Sequence, residues 1–281
     1  MKTLSKTRSE LRSAGRWDID FHLPAEGICA FPAALLKRVD AVAMIAKDKR
    51  DPGRAPDEAF QYLDISSVDV AVGSITTPQD LEGSEAPSRA RKVVRAFDLL
   101  VSTCRPTRGA IAVVPVEFHN QIASTGFSIV RPNAEINPFY LQYALRLPST
   151  LEQFRKWSTG SSYPAILDED VAKTLIPVPS VPEQDRIARL LVDALRERKA
   201  ALEMANRSWR QTVQLITAGL TGAVTANEEE IEDEGAEAPV TVQEVQVILR
   251  ELPPLNTDGR EQSVAQSEFE MESVEAGRAY G

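Results

Sequence analysis

Few side chains in this sequence are of the types that metal binding or nucleophilic catalysis requires. The chain of 281 residues has two cysteines and two histidines, and a zinc site built from them would need all four, although they are scattered along the sequence. They are His22, Cys29, Cys104 and His119. The candidate serine nucleophiles lack a G-x-S-x-G context, and the two histidines are the only possible histidine bases. These serines are Ser102, Ser124 and Ser161. The sequence therefore predicts neither a metal site nor a hydrolase triad.

Two short motifs approach the patterns of DNA-modifying enzymes without completing them. The sequence NPFY at 137–140 is close to the N-P-P-Y type with which amino-methyltransferases hold a flipped base, but it lacks the second proline. Its first two residues are equally explained as a helix cap followed by a proline in the first helical turn. Glu169 and Asp170 with Lys173 come nearest to nuclease carboxylates, but acids there also suit a helix start. No P-loop is present. We therefore expect no catalytic residue in this chain.

The side chains best suited to a function are basic and hydroxylic, a combination that binds nucleic acid. In the loop Thr103–Gly109, two arginines and two threonines could present an arginine fork to O6 and N7 of a guanine. A solvated turn, with its charges in water, is the equally weighted alternative. Just upstream lies the densest basic stretch, on a strand whose alternating faces prevent all of its bases from reaching DNA together. The predicted contacts here are Arg89, Arg91, Lys92, Thr103, Arg105, Thr107 and Arg108.

A second candidate segment runs from Thr159 to Tyr163. Its glycine, Gly160, permits close backbone approach, and the residues after it supply hydroxyl groups. A basic residue on the preceding helix could hold a phosphate, whereas a capping turn is the alternative interpretation. The contacts predicted here are Lys156, Ser161, Ser162 and Tyr163. The hairpin tip 76–88 is a weaker candidate because its acids repel phosphate, and the loop 47–54 suits backbone contact rather than base reading.

The charge distribution separates a basic body from an acidic tail. The net charge is −9, but residues 226–281 contain 15 acidic residues and 3 arginines, which leaves residues 1–225 with a net charge of +3. A mildly basic body can bind DNA where its bases cluster. The chain has no apolar run of about 18 residues and no secretory signal at its start, so we expect neither a membrane span nor export. Two cysteines form no disulfide framework, which favours a reducing cytoplasm.

The hydrophobic pattern predicts an α+β fold. Apolar residues at helical spacing predict an amphipathic helix over 33–46. Short apolar or β-branched runs between turn signals predict strands from Phe60 to Val130. Asn137 and Pro138 open a predicted helix, and a second helix is predicted over 150–157.

A long helix is predicted from about 180 to 220, beginning at the capping-box pattern of Ser180 and Glu183. Its apolar residues keep a seven-residue period, with one series at heptad position d and a partner series at position a. The predicted pairing residues are Val192, Leu195, Leu202, Asn206, Trp209, Val213 and Ile216. Polar residues at a, Lys199 and Asn206, weaken such a seam but fix its register. The alternative is a helix that lies on its own domain.

Five segments in order resemble the target-recognition domain of type I restriction–modification specificity subunits. They are YLDISSVDVAVGSI (62–75), RARKVVRAFDLLVSTCRPTRGAIAVVP (89–115), STGFSIVRP (124–132), INPFYLQYAL (136–145) and GSSYPAILDEDVAKTLIPVPSVPEQDRIARLL (160–191). None is diagnostic alone, but the ordered series is specific, and the resemblance covers about 17–220. It implies a mostly β recognition domain with flanking helices, then a conserved helix on which methyltransferase subunits dock.

The resemblance also sets the expected partners. It implies binding of double-stranded DNA beside methyltransferase subunits and a restriction subunit that translocates DNA, as part of phage defence. The cofactors S-adenosylmethionine, ATP and Mg²⁺ are then expected on those partners, with none bound by this chain. A full family member has two recognition domains and two long helices, whereas this chain has one of each. Two copies pairing antiparallel would rebuild the two-domain particle, and a second gene that supplies the other half is the competing hypothesis.

The predicted organisation has four parts. They are a flexible N-terminus (1–16), a DNA target-recognition domain (17–178), a long helix for dimerisation or methyltransferase docking (180–222) and an acidic, largely disordered tail (223–281). Competing with the specificity-subunit function are a free-standing DNA-binding or regulatory protein and an interaction or decoy role led by the acidic tail. The long helix favours the first function.

Overall fold

A computed structural model describes residues 5–17, 19–160 and 162–221. The predicted disordered tail, 223–281, lies outside the described residues. The chain divides into two units, Met1–Arg198 and Lys199–Gly281. The helices are α1 (Arg8–Ala14), α2 (Ile19–His22), α3 (Pro138–Arg146), α4 (Pro148–Trp157), α5 (Asp168–Lys173) and α6 (Val181–Thr221). The α1 helix lies where a flexible N-terminus was predicted, and Thr7 and Glu10 form its capping box.

The strands of the first unit form four sheets within the described ranges. The strands are β1 (Leu36–Arg38), β2 (Ala43–Ala46), β3 (Ala59–Leu63), β4 (Val68–Asp69), β5 (Ser74–Ile75), β6 (Gln79–Glu82), β7 (Ala90–Val93), β8 (Leu99–Ser102), β9 (Ile111–Val113), β10 (Ile122–Ser124), β11 (Phe127–Pro132) and β12 (Leu175–Pro177). One four-stranded sheet has the order β2-β11-β8-β9, and the other has the order β6-β3-β10-β7. The pairs β1-β12 and β4-β5 form two small sheets. The α+β fold class is confirmed.

The sheet β2-β11-β8-β9 is buried on both faces, and successive side chains of its strands enter different cores. Leu99 and Val101 of β8 join a cluster with the apolar faces of α3 and α4. Leu100, between them, joins a second cluster with Leu63 and Ala123 from the other large sheet. Since side chains alternate along a strand, a run with no polar break is required for a strand covered on both sides. This explains why the sequence LLV has no amphipathic alternation.

The predicted helix over 33–46 is wrong. The segment instead contains β1, a 3₁₀ turn at Val39–Ala41, and β2. Val39, Val42, Ala43 and Ala46 are buried, and the turn shifts the phase of the strand alternation so that the buried positions imitate helical spacing. Pairing of β1 with β12 and of β2 with β11 decides the conformation.

The helices that follow the sheets are close to those predicted. Asn137 caps α3, because its side-chain oxygen accepts hydrogen bonds from the backbone N–H groups of Phe139 and Tyr140. The α4 helix begins at Pro148, two residues before the predicted start, since proline is favoured in the first helical turn. The α6 helix has 41 residues and matches the predicted long helix.

Gln184 anchors the start of α6 to the segments that precede it, at 135–137 and 179. Its side chain is buried; the Oε1 atom accepts from the N–H of Asn137 at 2.9 Å, and Nε2 donates to the carbonyl of Pro179 at 2.9 Å and to that of Glu135 at 3.3 Å. The beginning of α6 is therefore fixed by polar contacts that an apolar residue cannot make.

We expect Gln184→Leu to lower the free energy of unfolding by about 2 kcal/mol, because it keeps the side-chain volume but leaves buried backbone groups without partners. Urea denaturation of the purified full chain measures this. Arg186→Ala is the matched control, since the guanidinium of Arg186 contacts only the exposed Glu183 on the same helix. Equal stability of the Gln184→Leu variant and the native chain would contradict the anchoring role.

Candidate nucleic-acid interface

The loop 103–109 leaves the end of β8 with a constrained backbone. Arg105 adopts φ +45° and Gly109 adopts φ +71°, both in the left-handed region. Pro106 is buried, and the N–H groups of Arg108 and Gly109 donate to the carbonyls of Arg105 and Pro106 at 3.0 and 3.1 Å. A non-glycine residue at positive φ carries strain that the surrounding contacts must offset. The loop is therefore held in one conformation.

The second candidate segment lies directly beside this loop. The N–H of Arg105 donates to the carbonyl of Pro164 at 2.7 Å, and the N–H of Ile166 donates to the carbonyl of Thr103 at 3.0 Å. Thr159 and Ala165 close the second segment with two backbone hydrogen bonds of 2.9 Å. Two loops that are more than fifty residues apart in the sequence are thus joined by backbone hydrogen bonds.

Arg105 and Tyr163 contact each other through their side chains. The Cζ atom of Arg105 lies 5.1 Å from the centroid of the Tyr163 ring, within the range of a cation–π interaction. The Tyr163 side chain is 48% exposed, so the pair is accessible from solvent. Arg105 itself is half-buried, and its contact with the ring limits the rotamers that its side chain can adopt. Ser162 is exposed nearby, and Ser161 lies outside the described residues.

The other predicted residues of loop 103–109 have different environments. Thr107 and Arg108 are exposed, and no ion pair involves Arg108 within the part of the chain that the structure describes. Thr103 is half-buried, and its hydroxyl donates to the carbonyl of Gly126 at 2.8 Å. The hydroxyl therefore helps to fix the loop against the turn between β10 and β11.

The basic residues before β8 divide into surface and structural groups. Arg89 is exposed, and its carbonyl accepts from the N–H of Thr125 at 2.9 Å. Arg91 is half-buried, with Nη2 at 3.4 Å from a carboxylate oxygen of Asp51. The ammonium of Lys92 donates to the carbonyl of Phe127 at 2.6 Å and lies 3.5 Å from a carboxylate oxygen of Asp168. Lys92 thus joins β7 to β11 and α5, and we revise its predicted role as a DNA contact.

Lys156 also has a structural environment. Its side chain is buried, and its ammonium donates to the carbonyls of Asp20, Leu23 and Pro24 at 2.7, 3.0 and 3.3 Å. The carboxylate of Asp20 is 3.4 Å away and also accepts from Arg155 at 2.6 Å. The hydrogen bond from Arg155 and the charge of Lys156 lower the pKa of Asp20. Because Lys156 holds the segment after α2 against α4, its predicted phosphate contact needs revision.

Arg146 of α3 contacts loop 103–109, but the pattern of basic residues along the sequence did not identify it as part of the candidate site. One of its terminal nitrogens donates to the carbonyl of Gly109 at 2.7 Å, and the other donates to the carbonyls of Val70 and Ala71 at 2.6 and 3.0 Å. Burial lowers the pKa of this guanidinium. The sequence carries no signal for these contacts, because they go to backbone carbonyls of segments that are distant in the sequence.

Among residues 5–17, 19–160 and 162–221, no group of three or more His, Cys, Asp or Glu side chains is placed to hold a metal ion. None of the helices in these ranges is both long enough and apolar enough to cross a membrane.

Comparisons with known proteins agree on one family. The model of the type I restriction modification DNA specificity domain matches residues 87–204, which include both loops and the first part of α6. The specificity subunit of the type I restriction enzyme HindI from Haemophilus influenzae is 28% identical over 110 residues, or 38% of this chain and 24% of that protein.

Solved structures extend the similarity over most of the described fold. The HsdS subunit from Thermoanaerobacter tengcongensis is 34% identical with a TM-score of 0.52, over 71% of this chain and 51% of that chain. A chain from a structure of type I restriction–modification complex assembly and conformational transition is 35% identical with a TM-score of 0.53, over 73% and 51% of the two chains. This chain thus spans about half the length of the structural relatives it matches, and about a quarter of the HindI subunit.

We expect Lys156→Met to release the segment 19–25 from α4, because three backbone carbonyls lose their shared donor. Limited proteolysis should cleave this segment several-fold faster in the variant than in the native chain, with fragments identified by mass spectrometry. Lys173→Met is the matched control, since the ammonium of Lys173 contacts Asp170 and the ring of Trp157. Equal cleavage rates of the two variants would contradict the structural role of Lys156.

Proposed function

We propose that this chain, which is similar to type I restriction–modification specificity subunits, binds duplex DNA at a defined sequence and directs partner methyltransferase and restriction subunits to that site. The observation that carries this proposal is the joining of two polar loops around the Arg105–Tyr163 pair. Arg105 is half-buried beside the exposed ring of Tyr163, and an arginine fork is the group best suited to recognise O6 and N7 of a guanine.

The DNA contacts that we propose form two groups. Arg105, Thr107, Ser162 and Tyr163 would face base edges, since they lie on the two joined loops. Arg89, Arg91 and Arg108 would contact phosphates, which position the protein and make affinity depend on salt. Lys92 and Lys156 are left out because their ammonium groups hold backbone carbonyls together.

Catalysis would belong to the partners. We expect methyl transfer from S-adenosylmethionine on methyltransferase subunits, and ATP- and Mg²⁺-dependent DNA translocation and cleavage on a restriction subunit. This chain would then supply sequence recognition and a docking helix.

A second copy of the chain would complete the recognition particle. The portion of α6 in the second unit exposes a stripe of apolar side chains, which includes Leu202, Trp209 and Ile216. With one recognition domain per chain and about half the length of the solved relatives, two copies would provide two half-site readers related by two-fold symmetry.

The heptad residues favour one antiparallel alignment of two α6 helices. Stacking Leu195 on Leu220 of the partner subunit also stacks Leu202 on Val213 of the partner subunit. The same alignment brings Glu203 beside Arg210 of the partner subunit, twice in the symmetric pair. A parallel pair would instead place Lys199 against Lys199 of the partner subunit, where like charges repel.

The decisive experiment is a methylome of the host with and without this gene, read by single-molecule sequencing. We expect a bipartite, palindromic N6-methyladenine motif to disappear on deletion, because a symmetric pair reads the same half-site twice. Loss of an asymmetric motif would indicate a second recognition domain from another gene. Unchanged methylation with the methyltransferase partners expressed would contradict the proposal and make a free-standing DNA-binding protein the leading account.

Arg105→Lys should reduce sequence discrimination while it preserves charge. We expect a loss of about 1–3 kcal/mol of discrimination against a substituted guanine, because lysine lacks the bidentate fork. Competition binding with matched and single-substituted duplexes measures this at one salt concentration. Arg38→Lys is the control, since Arg38 pairs with Asp40 outside both loops. Equal discrimination by the native chain and Arg105→Lys would exclude Arg105 as a base reader.

The antiparallel alignment predicts a charge-reversal rescue. Glu203→Arg and Arg210→Glu should each weaken dimerisation by about five- to tenfold, since each places like charges together in two symmetric contacts. The double variant should restore the native dimer, as measured by sedimentation equilibrium. Glu197 lies on the face of the helix that points away from the heptad seam, so Glu197→Arg should leave dimerisation unchanged. A double variant as weak as the single variants would contradict this alignment, and a monomeric native chain would favour pairing with another half subunit.

A further inference from the structure

We propose that Arg146 is a positioning residue that sets the location of the base-reading loop 103–109 by holding it to the turn at 70–73. The role of the loop in reading DNA rests on the proposed function. The mechanical role of Arg146 rests on its contacts alone, so the two can be tested separately.

The guanidinium of Arg146 connects two segments that have no sequence proximity. Nη1 donates to the carbonyl of Gly109, the last residue of the loop, at 2.7 Å. Nη2 donates to the carbonyls of Val70 and Ala71, in the turn between β4 and β5, at 2.6 and 3.0 Å. Because a guanidinium is planar and rigid, these three bonds fix the distance and the angle between the two segments.

Gln142, one helical turn earlier on α3, reinforces the same contact. Its Nε2 atom donates to the carbonyl of Gly73 at 2.5 Å and to that of Ile111 at 3.3 Å. Gly73 adopts φ +73°, and a Cβ atom there would lie 2.3 Å from Nε2 of Gln142 and 2.9 Å from Nη1 of Arg146. The turn is therefore packed so closely on α3 that no side chain fits between them.

The electrostatic environment of Arg146 favours a geometric role over a stabilising ion pair. Its bonds go to backbone carbonyls, and within the described ranges no carboxylate lies within ion-pair distance of it, although Asp69 contributes at longer range. Burial of a charged group carries a desolvation cost that an apolar residue of similar volume would avoid. What the guanidinium provides is a defined arrangement of two loops.

The turn held by Arg146 also contacts the long helix. A carboxylate oxygen of Asp69 lies 3.8 Å from Nη1 of Arg198 on α6, and the other accepts from the N–H of Ala71 at 2.8 Å. The contacts of Arg146 thus join the base-reading loop to a turn that α6 also touches. This ion pair lies at Arg198, so it links the segment held by Arg146 to α6 within the first unit.

The first test compares Arg146→Lys with Arg131→Lys by hydrogen exchange of the full chain without DNA. Arg131 is the matched control, because it makes a bidentate pair with the buried Asp98 at the opposite end of β8. We expect Arg146→Lys to accelerate exchange of the Arg108 and Gly109 amides by about tenfold or more, and Arg131→Lys to leave them unchanged. Exchange of both variants is measured at a temperature well below the melting temperature of the less stable one. Arg146→Gln serves as a second variant at the same position. Native exchange rates at 108 and 109 in both Arg146 variants would overturn the proposal.

The second test measures sequence selection from a library of duplex DNA with a randomised core. We expect Arg146→Lys to lose about tenfold of the preference for the selected sequence while its affinity for a random duplex stays within about twofold. Arg131→Lys should lower the melting temperature and keep the preference. Full preference in Arg146→Lys would overturn the positioning role. If the native chain selects no sequence, the proposed function fails, and the exchange experiment still decides the role of Arg146.

Discussion

The recognition domain depends on a sheet that is buried on both faces. Strands β8 and β11 place alternate side chains into two separate cores, one shared with the helices and one shared with the second large sheet. A strand confined from both sides cannot slip by one residue, because a slip would exchange every side chain between the cores. The end of β8 is therefore a fixed point, and loop 103–109 begins there. Its strained backbone at Arg105 is tolerated because this support is rigid.

The sequence predicted well those features whose causes are local. The Asn137 cap, the course of α6 and the polar nature of both loops depend on residues within a few positions of each other. The failure at 33–46 shows the limit, since pairing with β11 and β12 overrode a local pattern that imitated a helix. The joining of the two loops was not predictable because its hydrogen bonds connect backbone atoms that the sequence does not distinguish.

The basic residues show why charge alone identifies a surface poorly. Lys92 and Lys156 are as basic as Arg105 in the sequence, but their ammonium groups satisfy carbonyls from segments 35 and more than 130 residues away. The ammonium groups of Lys92 and Lys156 each lie at backbone carbonyls, whereas the guanidinium of Arg105 lies against the exposed ring of Tyr163. Among the residues predicted to contact DNA, fewer cations are therefore available than the sequence suggests, and both arginines of loop 103–109 remain candidates.

If two copies pair as proposed, the long helix would give the chain a physical means of acting as a whole particle. Under the proposed function a single domain would read one short sequence, and its discrimination would be bounded by the few base edges that two loops can reach. Coupling two copies through α6 would double the number of bases read without enlarging either domain, and symmetry would require the two half-sites to be related by a dyad. The polar residues Lys199 and Asn206 are compatible with such a pair. At heptad position a, a polar residue lowers the stability of a coiled coil but specifies the alignment of its helices, and a symmetric particle requires one fixed alignment. The spacing between the two half-sites would then be set by the alignment of the helices, so that a residue far from the DNA determines which sequence the pair can bind.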